Sequence, residues 1–319
     1  MSNVRFNPWL HRLALLTAAV SLLPIVMGAL VTTKDAGMAF PDWPTSDGQG
    51  MFAYPWLQSI GDKFLEHGHR LAGIVIGIAS IVLCVGLGVS DRRRWVKVLG
   101  VTALLSVIAQ GLLGGQRVLL DARGLAFVHG SFAALVFGLL AGIAVVTSRG
   151  WFDAEAAVPG HPLGRLRVLS IVTTTCVFVQ YVLGGLLRHR GMALHEHLGF
   201  AFIAAAMMLL LAFGALGSGR AWFKWPAAAL IAGTVLQLIL GAGAWITRFG
   251  FGDSYVAVHG SHGQIAFRTA HVLTGMMLFA ACVVLSVRVA RQHREELRSQ
   301  LPQASVNLPA AGLSAGGVA

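Results

Sequence analysis

Charge is what this sequence most lacks: 12% of its 319 residues are Asp, Glu, Lys or Arg, against 56% hydrophobic residues. A water-soluble domain carries about a quarter charged residues, so a soluble globular protein is the first class excluded. Acidic residues are scarcer still, thirteen against twenty-four Lys and Arg, for a formal charge of +11. The basic residues nevertheless form no continuous patch and do not alternate with exposed aromatics, which argues against a nucleic-acid partner. Cysteine is limited to Cys84, Cys176 and Cys282. All three fall inside apolar runs rather than in the loops where an extracytoplasmic disulfide would form, so they read as packing residues. The middles of the apolar runs also lack clear charges, which disfavours a transporter.

What the chain does have is apolar length. A bilayer-spanning helix needs roughly 20 mostly apolar residues, because lipid offers no hydrogen bond to an unpaired backbone group. Eight stretches qualify: Leu13 to Val31, His69 to Val89, Val96 to Gln116, Ala126 to Thr147, Leu166 to Leu187, Glu196 to Leu216, Trp225 to Ile246 and Arg268 to Arg288. The first is long, contains Pro24 and leads into a structured-looking loop without a small-residue cleavage site, so it reads as a retained helix and not a signal peptide. The expected fold is therefore an all-α integral membrane protein of eight spans.

Placing the N-terminus in the cytoplasm puts Arg5, Arg12, Arg92, Arg93, Arg94, Lys97, Arg149, Arg165, Arg167, Arg220, Lys224, Arg288, Arg291, Arg294 and Arg298 on that side. That is fifteen of the twenty-four cations. By the positive-inside rule both termini are cytoplasmic and the even spans begin at the outer face.

The chain reads as two pseudo-repeated four-helix bundles, residues 1–147 and 168–298, joined by a cytoplasmic linker at 148–167 and followed by a mobile tail at 299–319. Gln110-Gly111-Leu112-Leu113-Gly114-Gly115 resembles Gln237-Leu238-Ile239-Leu240-Gly241-Ala242, and Gln180-Tyr181-Val182-Leu183-Gly184-Gly185 is related to both. The first span ends with Pro24-Ile25-Val26-Met27-Gly28-Ala29. Small residues near the outer end of every odd span suit close helix approach; they also leave room for a flat ligand.

Histidines supply the chemical signal. His69, His129, His197 and His271 stand at or near the outer starts of spans two, four, six and eight. Any one alone would read as an interfacial residue, but one per even span at similar depth suggests paired axial ligands for two haem-type sites. A zinc or copper site would draw its ligands together instead. His67 and His195 each precede a proposed ligand by two residues and so point to another side of the helix; alignment of His129-Gly130-Ser131-Phe132-Ala133 with His197-Leu198-Gly199-Phe200-Ala201 favours His197 over His195. Arg70, Arg117, Arg188, Arg190, Arg248 and Arg268 cluster at the same level, as partners for carboxylates such as haem propionates or as interfacial anchors. His259 and His262 fall in an outer loop. Glu66 lies one turn before His69 and can share its face; as a helix N-terminal charge it would be structural.

Glu66-His67-Gly68-His69-Arg70 resembles the Glu-x-x-His-Arg signature of the haem A synthase family. Gly37-Met38-Ala39-Phe40-Pro41-Asp42-Trp43-Pro44 resembles that family's first-loop pattern, and the duplicated eight-helix layout extends to about Arg288. The resemblance implies oxidation of the haem O methyl substituent to a formyl group, giving haem A for terminal oxidases, with haem b as cofactor. It further implies that His69 and His129 hold substrate haem O, that His197 and His271 ligate haem b, that Glu66 is catalytic, and that haem O synthase and terminal oxidase assembly proteins are partners. Its setting would be a bacterial cytoplasmic membrane, with the histidines near the outer face. Phe40 and Ser46 stand where the resemblance puts a cysteine pair, which excludes a loop disulfide. The rival reading is a non-enzymatic di-haem electron carrier or haem chaperone.

Overall fold

A computed structural model describes residues 5–153 and 163–300. Among them, eight helical spans are long and apolar enough to cross a membrane, and no β-strand occurs beyond isolated bridges in two loops. In chain order the helices are α1 (Pro8–Val20), α2 (Leu22–Thr33), α3 (Gly61–Ser90), α4 (Arg94–Leu119), α5 (Arg123–Thr147), α6 (Arg149–Phe152), α7 (Gly164–Arg190), α8 (Leu194–Gly217), α9 (Ala221–Phe249) and α10 (His262–Gln300). Helix α6 is a single turn; the other nine make up the eight spans, α1 and α2 forming the first.

The first span breaks at Ser21. Pro24 has no N–H to offer the Val20 carbonyl, and its ring crowds that carbonyl, so the helix is interrupted one turn upstream. Asn7 caps the start of α1 by accepting from the amides of Trp9 and Leu10 at 3.1 and 3.2 Å. The turn from α7 to α8 is closed by Gly191 at φ 67°, where a left-handed residue satisfies the last carbonyls, and by Ala193 at φ 65°.

Helices α3 and α10 start well before the apolar runs that announce them, at Gly61 and His262, and α5 starts slightly before its own, at Arg123. His69 and His129 therefore sit about two turns into their helices rather than at the start. His262, expected in a loop, opens α10. The last helix also runs on to Gln300, beyond the apolar stretch ending at Arg288. It does so because Glu296 is buried there, accepting from the Leu163 amide at 3.1 Å beside the buried Arg220. Residues 154–162 of the expected linker and 301–319 of the expected tail lie outside the described residues.

Two apolar cores hold the bundle. One joins α1, α3, α4 and α5 around Leu83, Leu87, Leu140 and Ile143. The other joins α7, α8, α9 and α10, with a contribution from α5, around Leu211, Phe223, Leu230 and Leu285. Helices α2 and α5 meet α7 and α10 between them. Large apolar side chains such as Ile78, Leu105, Phe202 and Ile239 face outward, as they do where lipid and not water is the solvent.

Candidate functional site

At one end of the bundle the four histidines come together as two pairs. His69 of α3 and His129 of α5 have ring centroids 6.2 Å apart with planes at 85°. His197 of α8 and His271 of α10 have centroids 6.1 Å apart with planes again at 85°. His195 is exposed, while His197 is half-buried and faces His271. His67 points away, with Nδ1 2.9 Å from Ser46 Oγ and Nε2 3.0 Å from the Met51 carbonyl.

Each ring rests on a glycine of the helix that precedes its own. A methyl group built on Gly28 would stand 2.9 Å from Cε1 of His69; on Gly114, 3.2 Å from that of His129; on Gly184, 2.9 Å from that of His197; on Gly241, 3.1 Å from that of His271. The small residues at the ends of the odd spans thus serve close approach, and what approaches is imidazole.

The spacing within each pair fits a shared metal. A metal–imidazole bond of about 2.0 Å, plus about 1.1 Å from ring nitrogen to ring centre, puts two trans imidazoles about 6.2 Å apart. Among the described residues no three His, Cys, Asp or Glu converge to cage a metal by themselves. Such a pair would hold a metal that comes within a ligand supplying the remaining donors, as the iron of a porphyrin does.

A loop covers the first pair. Glu66 Oε1 accepts from Arg70 Nη2 at 2.8 Å, while Oε2 accepts from the amides of Ala39 at 2.7 Å and Phe40 at 3.3 Å. Arg70 Nη1 donates onward to the carbonyls of Asp42 at 2.9 Å and Thr45 at 2.5 Å, and its guanidinium lies 5.1 Å over the Phe40 ring. Phe40 and Ser46 are both fully buried. Where the resemblance puts two cysteines, an aromatic plug and a hydroxyl bonded to His67 hold the loop to α3. Asp42 folds the loop tip: burial alone would raise its pKa, but bonds from the Thr45 hydroxyl and the Gly48 and Asp47 amides outweigh it and hold the carboxyl below its ordinary value. Trp43 lies flat on Gly115, where a methyl group would come within 2.3 Å of the indole.

The arginines divide by task. Arg70 is spent on the loop. Arg188 donates to the Ala29 carbonyl at 2.6 Å and the Thr33 hydroxyl at 2.9 Å, tying α7 to α2. Arg117 passes beside Gly37 and Arg190 beside Gly124. Arg268 is half-buried and Arg248 exposed. The histidine pattern gave no warning of His189, whose Nε2 lies 3.5 Å from a methyl group built on Gly130, next to His129.

The model of the cytochrome oxidase assembly protein family, COX15-CtaA, matches residues 11–196, more than half of the chain. The chain belongs to this family. Among curated relatives, the heme A synthase of Lysinibacillus sphaericus is 32% identical over 197 residues, covering 58% of this chain and 60% of that protein. The heme A synthase of Rhizobium rhizogenes is 29% identical over 150 residues, covering 44% and 40%. That of Methylobacterium radiotolerans is 28% identical over 165 residues, covering 49% and 44%. The match thus spans about half the length of these relatives. This member of the cytochrome oxidase assembly protein family is an integral membrane protein with eight apolar helical spans among the described residues. The family match includes the first histidine pair and the loop over it, and stops one residue short of His197.

Proposed function

We propose that this chain is a haem A synthase, an enzyme that oxidises the methyl substituent of haem O to a formyl group for terminal oxidase cofactor biogenesis. The observation that carries the proposal is the recurrence of one imidazole-pair geometry, at 6.2 and 6.1 Å, in a family whose matched curated relatives are named heme A synthase. In this reading His69 and His129 hold the substrate haem O in the N-terminal half, and His197 and His271 hold haem b in the C-terminal half. The two halves are taken as pseudo-repeats, residues 1–147 and 168–298. Both termini face the cytoplasm and the histidine end faces outward in a bacterial cytoplasmic membrane.

The resident haem supplies one-electron redox capacity when bound; the protein supplies position. The glycine seats fix the height of each imidazole, and the first loop, with Trp43 on Gly115 and Phe40 beneath Arg70, roofs the substrate side and limits water. Glu66 is the proposed catalytic carboxylate. Held at both oxygens, it stands one turn from His69, where it can take up a proton or stabilise positive charge developing at the oxidised carbon. Haem O synthase as donor and a terminal oxidase as recipient are the expected partners, because both haems are poorly soluble in water.

The full occupation of Glu66 by Arg70 and two loop amides also suits a purely positional role, and hence a di-haem carrier or haem chaperone. Extraction, chromatography and mass analysis of the haems bound after expression with a haem O supply separates the readings. Haem b together with haem O or haem A is expected of the synthase. Haem b alone would point to the carrier, and the absence of haem would overturn the assignment of the histidines.

A further inference from the structure

The four histidines share a seat but not a partner. Four residues before each seating glycine, and so one turn along the same helix, stands Pro24 in α2, Gln110 in α4, Gln180 in α7 and Gln237 in α9. The Pro24 carbonyl lies 2.9 Å from Nδ1 of His69. Gln110 Nε2 donates to the backbone carbonyl of His129 at 3.2 Å. Gln180 Nε2 donates to the His197 carbonyl at 2.9 Å and lies 3.1 Å from His197 Nδ1, while Gln237 Nε2 lies 3.4 Å from His271 Nε2. The amide oxygens of all three glutamines are buried without a partner, and so are Nδ1 of His129 and Nδ1 of His271.

These orphans are complementary. An imidazole that binds a metal through Nε2 must carry its hydrogen on Nδ1, and that hydrogen needs an acceptor. A glutamine presents either its oxygen or its nitrogen by turning its amide half a revolution. With Nε2 toward Nδ1, as at Gln180 and His197, the pair suits a ring whose Nδ1 carries no hydrogen. With Oε1 there, it suits a ring bound through Nε2.

We propose that Gln180 and Gln237 are positioning residues of the second pair, turning their amide oxygens to accept Nδ1–H of His197 and His271 when these rings ligate haem. The turn gives up the bond from Gln180 to the His197 carbonyl, and at His271, whose Nε2 faces Gln237 at 3.4 Å, the imidazole also turns over to bring Nδ1 to the amide. The inference rests on the proposed haem site at that pair. A ring whose N–H is donated to an acceptor is a stronger electron donor to iron, so the acceptor at this position sets the iron's electronic character. His69 already has such an acceptor in the Pro24 carbonyl, which cannot be exchanged by side-chain substitution.

The test reads the haem of the C-terminal half in the purified full-length protein, by haem content, redox titration and low-temperature electron paramagnetic resonance. The variants are Gln180→Leu, Gln180→Glu, Gln237→Leu and Gln237→Glu, with His197→Ala to identify the signal of that haem. The leucine variants, which have no acceptor, are expected to raise its reduction potential. The glutamate variants, with a stronger acceptor, are expected to lower it and to move the resonance in the opposite sense. Retained haem with unchanged potential and resonance in all four would overturn the inference and leave the haem site standing. An undiminished haem complement in His197→Ala would overturn the site itself.

Discussion

The two histidine pairs are alike in their rings and unlike in what covers them. Each is seated on glycines, with centroids 6.1 to 6.2 Å apart and planes at 85°. Over the first lies a loop fastened through Glu66, His67 and Arg70, with Phe40 and Ser46 fully buried beneath. Between α9 and α10, by contrast, the connection 250–261 near the second pair leaves Phe251 at 63% exposure and Val256 at 78%. The seating of each ring is therefore a property of adjacent helices, which both pairs have, while enclosure is a property of the loop, which among the described residues is fastened at the first pair. A fastened roof suits a site where a reacting atom must be kept from water; a resident redox group needs only its ligands.

The sharpest way to break this comparison is to remove one ligand from each pair. His69→Ala and His197→Ala are each expected to lose about half of the bound haem iron, and haem analysis should show different haem types missing from the two. Glu66→Ala has no counterpart in the second pair; it is expected to keep both haems while product falls to background. Retention of full activity by both Glu66→Ala and His197→Ala would reject the division of labour between the pairs.

Next in size are the ion pair and the seats. Arg70→Ala leaves the buried Glu66 without its cation, at a cost of about 3–5 kcal/mol. Limited proteolysis should then cut the first loop faster while the 250–261 connection is cut as before. Gly28→Ala and Gly184→Ala each push a methyl group to within 2.9 Å of an imidazole, an overpacking of about 1–3 kcal/mol. Each is expected to weaken haem retention at its own pair. Gly111→Ala, with open space at its Cβ position, is the control and should retain both haems.

The smallest effects belong to the loop's polar fastenings. Ser46→Ala removes the hydroxyl next to His67 and should cost about 1–3 kcal/mol of local stability, read as faster amide exchange in residues 39–51 only. Asp42 has its pKa lowered on folding. Its stabilisation is therefore complete above its ordinary value of 3.8 and is lost as pH falls through the lower folded value. Loop protection should persist at pH 5 and fail only under stronger acid, whereas Asp42→Asn should remove that dependence.

The histidines and the helices that carry them were legible in the sequence because a helix has a fixed period and ionisable groups are rare in lipid-facing segments. The Gln-x-x-x-Gly pattern was legible too, though only as small residues for close packing or for room beside a flat ligand. That Gln110, Gln180 and Gln237 address histidines depended on which helix each one faces. His189 carried no signal, since its place beside His129 arises from packing between residues distant in the chain.

By itself, then, the sequence determined the class of molecule, the number of spans and the residue types available for haem ligation, because apolar length and helical period are local quantities. The tertiary structure decided which histidines pair, which glycine lies under each ring, that Glu66 is held at both oxygens by the loop, and that Phe40 and Ser46 can fasten that loop without a disulfide. These are relations between residues up to 74 positions apart in the chain, as His197 and His271 are, and only the packing of helix on helix brings such residues together.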